Sequence, residues 1–212
     1  MKTKHIIIAL LWALCLIGTC SIASAQKNKV AQEKADVMTL DFEDNLATPQ
    51  VKNKLHADIV AYQRKVGDNL IKQGYKVQSI RKGEVLIIVI PAHELFAQND
   101  VELMESAGKE LQPIAKLLAT ARMYKYLLAM HSDNTGNDWY CETLTNDRVI
   151  SVYNWFRANC NLTSALVPYA MGNSEPLLEN NSRANRQINR RLEIYLVPDE
   201  QMIERAKAKT LR

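Results

Sequence analysis

The strongest constraint on the fold is an unbroken apolar run near the middle of the chain. Residues 84–90 are rich in β-branched side chains and are followed by Pro91. This pattern predicts a strand buried on both faces, and the proline ends it because proline cannot donate to a sheet ladder. A turn at residues 81–83 separates the run from residues 76–80, which are predicted to be its edge partner in a hairpin.

Hydrophobic periodicity predicts helices on both sides of this hairpin. In residues 51–73 apolar side chains recur every three or four positions, and Gly74 follows where a left-handed C-terminal cap is expected. The same spacing predicts helices at residues 101–121 and 145–159. Pro113 lies inside the first of these two, so we expect a kink or a break there.

Three further strands complete the predicted sheet, at residues 124–130, 166–171 and 189–197. The last strand alternates apolar and polar positions, and a long Asn-rich loop precedes it. Asp199 can then cap a short final helix. The order of these elements predicts an α+β fold, a mixed β-sheet with helices packed on one face and an amphipathic helix before it.

The first 25 residues predict export from the cytoplasm. Lys2 and Lys4 precede an apolar run at residues 6–17, and small residues follow at 23–25, as at a signal-peptidase cut. Residues 1–25 are therefore interpreted as a signal peptide. Residues 17–20 also approximate a bacterial lipobox, although Thr19 replaces the usual small residue, so a lipid anchor at Cys20 is the second interpretation.

The rest of the chain divides into four parts. Residues 26–50 are polar and mixed in charge, which is typical of a flexible leader. Residues 51–84 hold the N-terminal helix and the edge strand, residues 85–198 the main domain, and residues 199–212 a C-terminal helix and tail. The helix at 51–73 can pack on its own domain or pair with a second copy as a homodimer, and packing on its own domain is preferred.

Charge and cysteine usage exclude several classes of function. The formal net charge is +4, and cleavage of the signal peptide removes two lysines. A nearly neutral mature chain gives no case for nucleic-acid binding. The histidines are scattered and the cysteines lack paired spacing, so neither a metal nor a cofactor is expected. Cys141 and Cys160 flank a predicted helix, on the order of 20 Å apart, and are expected to be free thiols.

Binding chemistry is concentrated in residues 131–148. A polar loop there joins a strand to a helix, with Asp133 near its start and Arg148 at its end. The pair suits a small zwitterion, because the carboxylate can accept from an ammonium and the guanidinium can bind a carboxylate. The alternative is an internal salt bridge or a loop cap. His131 near Asp133 has no accompanying nucleophile, so no enzymatic activity is expected.

Four ordered segments resemble the OmpA-like C-terminal family, which includes the peptidoglycan-associated lipoprotein and the wall-binding part of flagellar stators. Family members carry a Phe-containing loop after the first strand, a G-H-T-D segment, an L-S-x-x-R-A helix start and a terminal N-R-R-V-E strand. The resemblance spans residues 85–197. The matching segments are Leu95-Phe96, His131-Ser132-Asp133, Leu144-Thr145-Asn146-Asp147-Arg148 and Asn189-Arg190-Arg191-Leu192-Glu193.

This resemblance implies non-covalent binding of peptidoglycan through the diaminopimelate of its stem peptide. The protein would then anchor the outer membrane or envelope to the cell wall from the periplasm. Asp133 would accept the ligand ammonium and Arg148 would bind a carboxylate. A helix start at Thr145 would add backbone donors for an anion. The remaining ligand-binding candidates carried over from the family motifs are Phe96, Asn189 and Arg190.

The sequence departs from the family pattern beside the predicted site. Met130 stands where Gly is usual, Cys141 where Asn is usual, and Val149 where Ala is usual. Trp139 and Tyr140 can either stack on a sugar or pack the loop, and the residues leave this choice open. Two other functions compete with wall binding: a scaffold that uses the fold for an outer-membrane or envelope protein partner, and a cell-wall hydrolase.

Overall fold

The computed structural model describes residues 40–119, 122–160 and 165–211. A five-stranded mixed sheet with the order β1-β2-β5-β3-β4 forms its centre. Only the β3–β4 pairing in this sheet is parallel. The predicted hairpin of β1 and β2 is confirmed. The strands are β1 Lys76–Ile80, β2 Val85–Pro91, β3 Tyr124–His131, β4 Leu166–Gly172 and β5 Arg191–Pro198.

Seven α-helices accompany the sheet in the described part of the chain. None of the helices in those ranges is both long enough and apolar enough to span a bilayer. The predicted signal peptide and the Cys20 lipid anchor lie outside the described residues. The helices are α1 Phe42–Ala47, α2 Asn53–Lys72, α3 Ala92–Leu95, α4 Ala107–Ala119, α5 Asp138–Asn159, α6 Arg183–Asn189 and α7 Glu200–Lys207.

The main core lies between one face of the sheet and helices α2, α4, α5 and α7. Every second residue of the central strands enters it, as strand geometry requires. The amphipathic stripe of α2 is buried here, so this helix packs on its own domain and its stripe is not available to a homodimer. The confirmed α+β architecture rests on these core residues: Leu55, Ile59, Leu70, Leu86, Ile88, Leu111, Ile114, Leu128, Val152, Phe156, Ile194, Leu196 and Met202.

The opposite face of the sheet is also covered, by a segment that was expected to be flexible. Helix α1 lies within the predicted leader, residues 26–50, and the Phe42 ring packs edge-on against Tyr169 and Tyr195, both at 5.2 Å. Lys125 Nζ donates to Asn45 Oδ1 at 2.9 Å and to a carbonyl of the same segment. The prediction of a flexible leader is therefore wrong for this part, because its aromatic and amide side chains fill the sheet face.

The buried Lys125 holds the α1 segment on the sheet. Lys125 projects from β3 and is almost inaccessible to solvent. Its ammonium donates to Asn45 and to the carbonyl of Thr48, at 2.7 Å, rather than to a carboxylate. Burial lowers the pKa of Lys125 to about 8. The contact between α1 and the sheet thus combines aromatic packing with a buried, hydrogen-bonded lysine.

Helices α4 and α5 begin at residues other than those predicted. Helix α4 begins at Ala107, so residues 97–106 form a loop, and the helix continues past Pro113 to Ala119. Helix α5 begins at Asp138, seven residues earlier than predicted, because Asn137 caps it by accepting from Tyr140 N at 2.8 Å.

Helix α6 lies in the predicted long loop before β5. It is capped by Ser182, whose Oγ accepts from Asn185 N at 3.1 Å. Helices α5 and α6 begin at polar caps, which the hydrophobic pattern alone does not mark.

Candidate ligand-binding site

A cleft of about 1010 Å³ opens beside the end of β3. Its walls come from the loop that follows α3, from the loop between β3 and α5, from the first turns of α5, and from α6 with Arg190. The described residues contain no cluster of His, Cys, Asp or Glu arranged to hold a metal ion. Charged and aromatic side chains line the cleft.

Asp133 supplies the carboxylate of the cleft and is only 4% exposed. Its Oδ1 accepts from Thr135 N at 2.7 Å, and its Oδ2 accepts from Arg190 Nη1. Burial raises the pKa of Asp133, but the hydrogen bonds from Thr135 and Arg190 outweigh it and hold the pKa below its usual value. The group is an anion at neutral pH, and its Oδ2, which accepts from Arg190, has a second lone pair for a ligand.

Arg148 faces the same cleft and is 6% exposed. Its Nε donates to the Asp100 carbonyl at 2.8 Å, and its Nη2 donates to the Ala97 carbonyl at 3.2 Å. The guanidinium carbon lies 4.9 Å from the centre of the Phe96 ring. Within the described ranges Arg148 forms no salt bridge within 4 Å, although the nearby Asp100 carboxylate interacts with it electrostatically, so the guanidinium is oriented and one of its nitrogens is left for a ligand.

Asp133 and Arg148 do not pair with each other, but each takes part in the alternative interpretation, an internal salt bridge or a loop cap. Asp133 caps its own loop through Thr135 N and forms an internal salt bridge, and Arg148 caps the loop at residues 97–100. The salt bridge of Asp133 is with Arg190, and Arg148 binds backbone carbonyls and an aromatic ring. The two groups that were predicted to bind a zwitterion thus line one cleft without satisfying each other.

Helix α6 adds further cations to the cleft. Arg183 and Arg186 line it together with Arg148 and Arg190, and Asp133 is the one carboxylate among its lining residues. Arg186 is oriented by donation from Nη1 to the Asn180 carbonyl at 2.9 Å. The cleft therefore carries a net positive charge, which favours an anionic ligand. Helix α6, which supplies Arg183 and Arg186, was not predicted from the hydrophobic pattern. The capping residue Ser182 is the sequence signal that indicates this helix.

Comparison with known proteins gives this segment a family. Residues 95–190 match the OmpA family, and they contain both Asp133 and Arg148. This segment is an OmpA-like domain.

Two curated relatives match the chain over this domain. The outer-membrane lipoprotein YfiB of Pseudomonas aeruginosa is 33% identical over 106 residues, which is 50% of this chain and 62% of the relative. YfiB of Escherichia coli, described as a lipoprotein, is 29% identical over 103 residues, which is 48% of this chain and 64% of the relative. The chain thus spans less than two thirds of either relative.

Solved structures share the fold of the OmpA-like domain. A MotB-like protein from Desulfovibrio vulgaris has a TM-score of 0.59 at 22% identity and covers 68% of this chain and 99% of its own. The cell wall anchor of the T6SS from Pseudomonas aeruginosa has a TM-score of 0.55 at 23% identity and covers 65% of this chain and 97% of its own. At these identities the likeness establishes the fold.

Two residues carried over from the family motifs, Thr145 and Asn189, are buried in the OmpA-like domain and do not line the cleft. Thr145 lies in the second turn of α5 rather than at its start, and its buried Oγ1 donates to the Cys141 carbonyl and accepts from Gly172 N. The predicted backbone anion site at Thr145 is therefore wrong, because mid-helix N–H groups are already bonded. Asn189 is fully buried and bonds both backbone groups of Leu178. These two residues hold the walls of the cleft but do not line it.

The departure at Cys141 is compensated locally. Its thiol is buried and lies 3.4 Å from the Asp133 carbonyl oxygen, which it contacts as a weak donor. The loop that carries Asp133 is therefore tied to α5 even though no Asn amide is present. Cys141 and Cys160 are both free thiols, as predicted.

Gly136 shapes the aromatic rim of the cleft. Its φ is +108°, and a Cβ at this position would lie 2.7 Å from Tyr140 Cδ1. The Tyr140 ring thus packs directly over the glycine, while the neighbouring Trp139 is 73% exposed. The sequence left two roles open for Trp139 and Tyr140, and Tyr140 has the loop-packing role.

We expect Gly136→Ala to destabilise the domain by about 1–3 kcal/mol, because the backbone is strained for an L-residue and the tyrosine must move. Urea unfolding followed by circular dichroism measures the change. Gly67→Ala is the matched control, since this glycine lies inside α2 and a Cβ there meets side chains at ordinary distances of 3.6 Å and above. The control should be stabilised by about 0.5–1 kcal/mol, and equal effects of the two changes would contradict the assigned role of Gly136.

Proposed function

We propose that the OmpA-like domain binds peptidoglycan non-covalently, through the diaminopimelate of the stem peptide, and so anchors the outer membrane or envelope to the cell wall. The observation that carries this proposal is the placement of Asp133 and Arg148 in one cleft, both oriented and neither neutralised by the other. Two proteins that this chain resembles, an outer-membrane lipoprotein and a cell wall anchor, agree with it.

The free end of a diaminopimelate side chain carries an ammonium and a carboxylate on one carbon. Asp133 offers a lone pair to the ammonium and would share its Oδ2 between the ligand and Arg190. Arg148 uses Nε and Nη2 for carbonyls, and its Nη1 has no hydrogen bond to the described residues. That nitrogen is available to the ligand carboxylate, in a charge-assisted bond.

The charge of the cleft matches the charge of a stem peptide. Four arginines face a single aspartate, and a stem peptide carries more carboxylates than ammonium groups. Arg183, on the exposed side of α6, is placed to meet a carboxylate outside the inner pair. Binding should therefore weaken as salt is raised, because the outer arginines are screened.

The proposed location is the periplasm, at the outer membrane and cell wall. It rests on the predicted signal peptide and on the lipoprotein relatives. An envelope or outer-membrane protein partner belongs to the same proposal. The role is one of binding rather than catalysis, since the cleft pairs Asp133 with an arginine and not with an activated nucleophile.

Pelleting with purified sacculi tests the proposal. The unmodified protein should pellet with the wall, and Asp133→Asn should weaken binding by about tenfold, because a hydrogen bond to a charged group is lost. Asp147→Asn is the matched control, since Asp147 is exposed on α5 and outside the cleft.

The competing functions give different results in the same assay. If Asp133→Ala combined with Arg148→Ala pellets as well as the unmodified protein, wall binding through this cleft is wrong and a protein scaffold is favoured. Release of soluble muropeptides by the purified protein would instead indicate a hydrolase, and we expect none.

A further inference from the structure

Trp139 is the most exposed large apolar side chain of the described residues, and it stands on the rim of the cleft. The partly buried Trp155 on the same helix packs edge-on against Phe156, with ring centres 5.4 Å apart. Exposing an indole to water forgoes a large hydrophobic stabilisation. A tryptophan left uncovered beside a binding cleft therefore suggests that a ligand covers it.

The backbone that carries Trp139 is fixed from both sides. Asn137 caps the start of α5, and Asp138 Oδ1 accepts from Asn173 Nδ2 at 3.0 Å. The next residue, Tyr140, packs over Gly136. The indole thus projects from a rigid helix start, so little ordering of the chain would be needed when a ligand stacks on it.

We propose that Trp139 is a stacking platform for a pyranose ring of the glycan strand, so that the domain recognises the stem peptide together with the sugar that bears it. This inference rests on the proposed function. A pyranose presents an apolar face of C–H groups and a polar edge, which suits an exposed indole. The sugars of the strand are mostly uncharged and gain little from the arginines, whereas the charged peptide suits the interior of the cleft.

The arrangement of the cleft agrees with the covalent order of the ligand. Asp133 and Arg148 are more than nine-tenths buried, and Trp139 is at the mouth. A peptide whose diaminopimelate reaches the inner pair must emerge past this rim, where its sugar begins. Beside Trp139 the cleft is lined by the polar Asn137 and by Tyr140, whose ring already packs over Gly136. The rim therefore does not offer a broad apolar face to a protein partner.

Paired titrations test the platform. The ligands are a stem tripeptide with diaminopimelate and the same tripeptide attached to its disaccharide. The unmodified protein should bind the disaccharide form about 3–10-fold more tightly, as one stacking contact allows. Trp139→Ala should bind both ligands equally, with its affinity for the free tripeptide unchanged. Ile150→Ala is the control, because Ile150 is an exposed apolar residue of the same helix.

Intrinsic fluorescence gives a second readout. The disaccharide ligand should change the indole emission of the unmodified protein, and Trp139→Phe should remove this change while retaining part of the preference. If Trp139→Ala keeps the full preference for the disaccharide, or loses affinity for both ligands alike, the glycan platform is wrong and Trp139 is a protein contact or a loop element. If the unmodified protein binds neither ligand, the proposed function fails as well.

Discussion

Arg148→Ala is expected to weaken binding of a diaminopimelate stem peptide by about 30-fold or more. Removing one partner of a buried, charge-assisted contact costs about 2–5 kcal/mol, and 1.4 kcal/mol corresponds to tenfold in affinity. Arg148 is the buried cation of the cleft with an unpaired nitrogen, so no neighbour can replace it fully. Isothermal titration with the tripeptide measures the effect.

Two variants serve as controls for Arg148→Ala: one removes an arginine outside the cleft, and the other keeps the positive charge at residue 148. Arg157→Ala removes an exposed arginine from the same helix, outside the cleft, and should leave affinity unchanged. Arg148→Lys keeps the positive charge but loses the planar fork that binds two acceptors at once, so its affinity should remain well below that of the unmodified protein. An Arg148→Ala protein that binds within threefold of the unmodified one would contradict the assignment.

Arg148 also has a structural role that the experiment must separate from binding. It ties residues 97–100 to α5 through the carbonyls of Ala97 and Asp100, and its loss leaves these acceptors unsatisfied. A stem peptide with lysine in place of diaminopimelate lacks the carboxylate proposed to meet Arg148. The unmodified protein should bind this peptide weakly, and Arg148→Ala should bind it no more weakly. A distorted loop would reduce the affinity for both peptides together.

The sheet could be predicted because its strands carry their own signal. The apolar run that became β2 and the alternation in β5 are local patterns whose periods match a strand, and both elements lie where predicted. The placement of Asp133 at the end of β3 followed from the strand boundary. That Asp133 and Arg148 share one site was predicted from their positions at the two edges of one loop together with the resemblance to the OmpA-like family, and both line the cleft.

The rest of the site depends on contacts that the sequence does not encode locally. The first turns of α5 show no single apolar stripe, since Trp139 and Tyr140 are exposed and Cys141 is buried. Periodicity therefore placed the start of this helix seven residues too late and made Thr145 look like an exposed helix start. The pairing of Asp133 with Arg190 joins the ends of two strands that are distant in sequence, and it depends on the sheet register.

A buried ionic cluster lies behind these strand ends. Arg191 and Glu193 on β5 and His131 on β3 are all nearly inaccessible. Glu193 Oε1 accepts from Arg191 Nε at 2.6 Å, its Oε2 accepts from the Tyr195 hydroxyl, and His131 Nε2 lies 3.6 Å from the same Oε2. His131 lies opposite Arg191 in the pairing of β3 with β5. The cluster therefore holds together the strand ends next to Asp133 and Arg190.

The charge on Glu193 is favoured in the folded protein. Burial raises the pKa of Glu193, but contacts with His131, Tyr195 and Arg191 outweigh it and lower the pKa to about 2. The value for the unfolded chain is 4.5. Since the folded-state pKa is the lower one, the carboxylate stabilises the fold above pH 4.5, and this contribution is lost as the pH falls towards 2.

Glu193→Gln is therefore expected to destabilise the domain by about 3 kcal/mol at pH 7, because it leaves Arg191 buried without its counter-ion. The effect should lie at the low end of the usual range, since Arg191 still donates to the carbonyls of Asn189 and Glu175. Urea unfolding from pH 7 to pH 2.5 measures it, with Glu204→Gln as the control from an exposed ion pair. The gap between the variant and the unmodified protein should shrink below pH 4.5. A gap that stays constant with pH would mean that the charge on Glu193 does not stabilise the strand ends beneath the cleft.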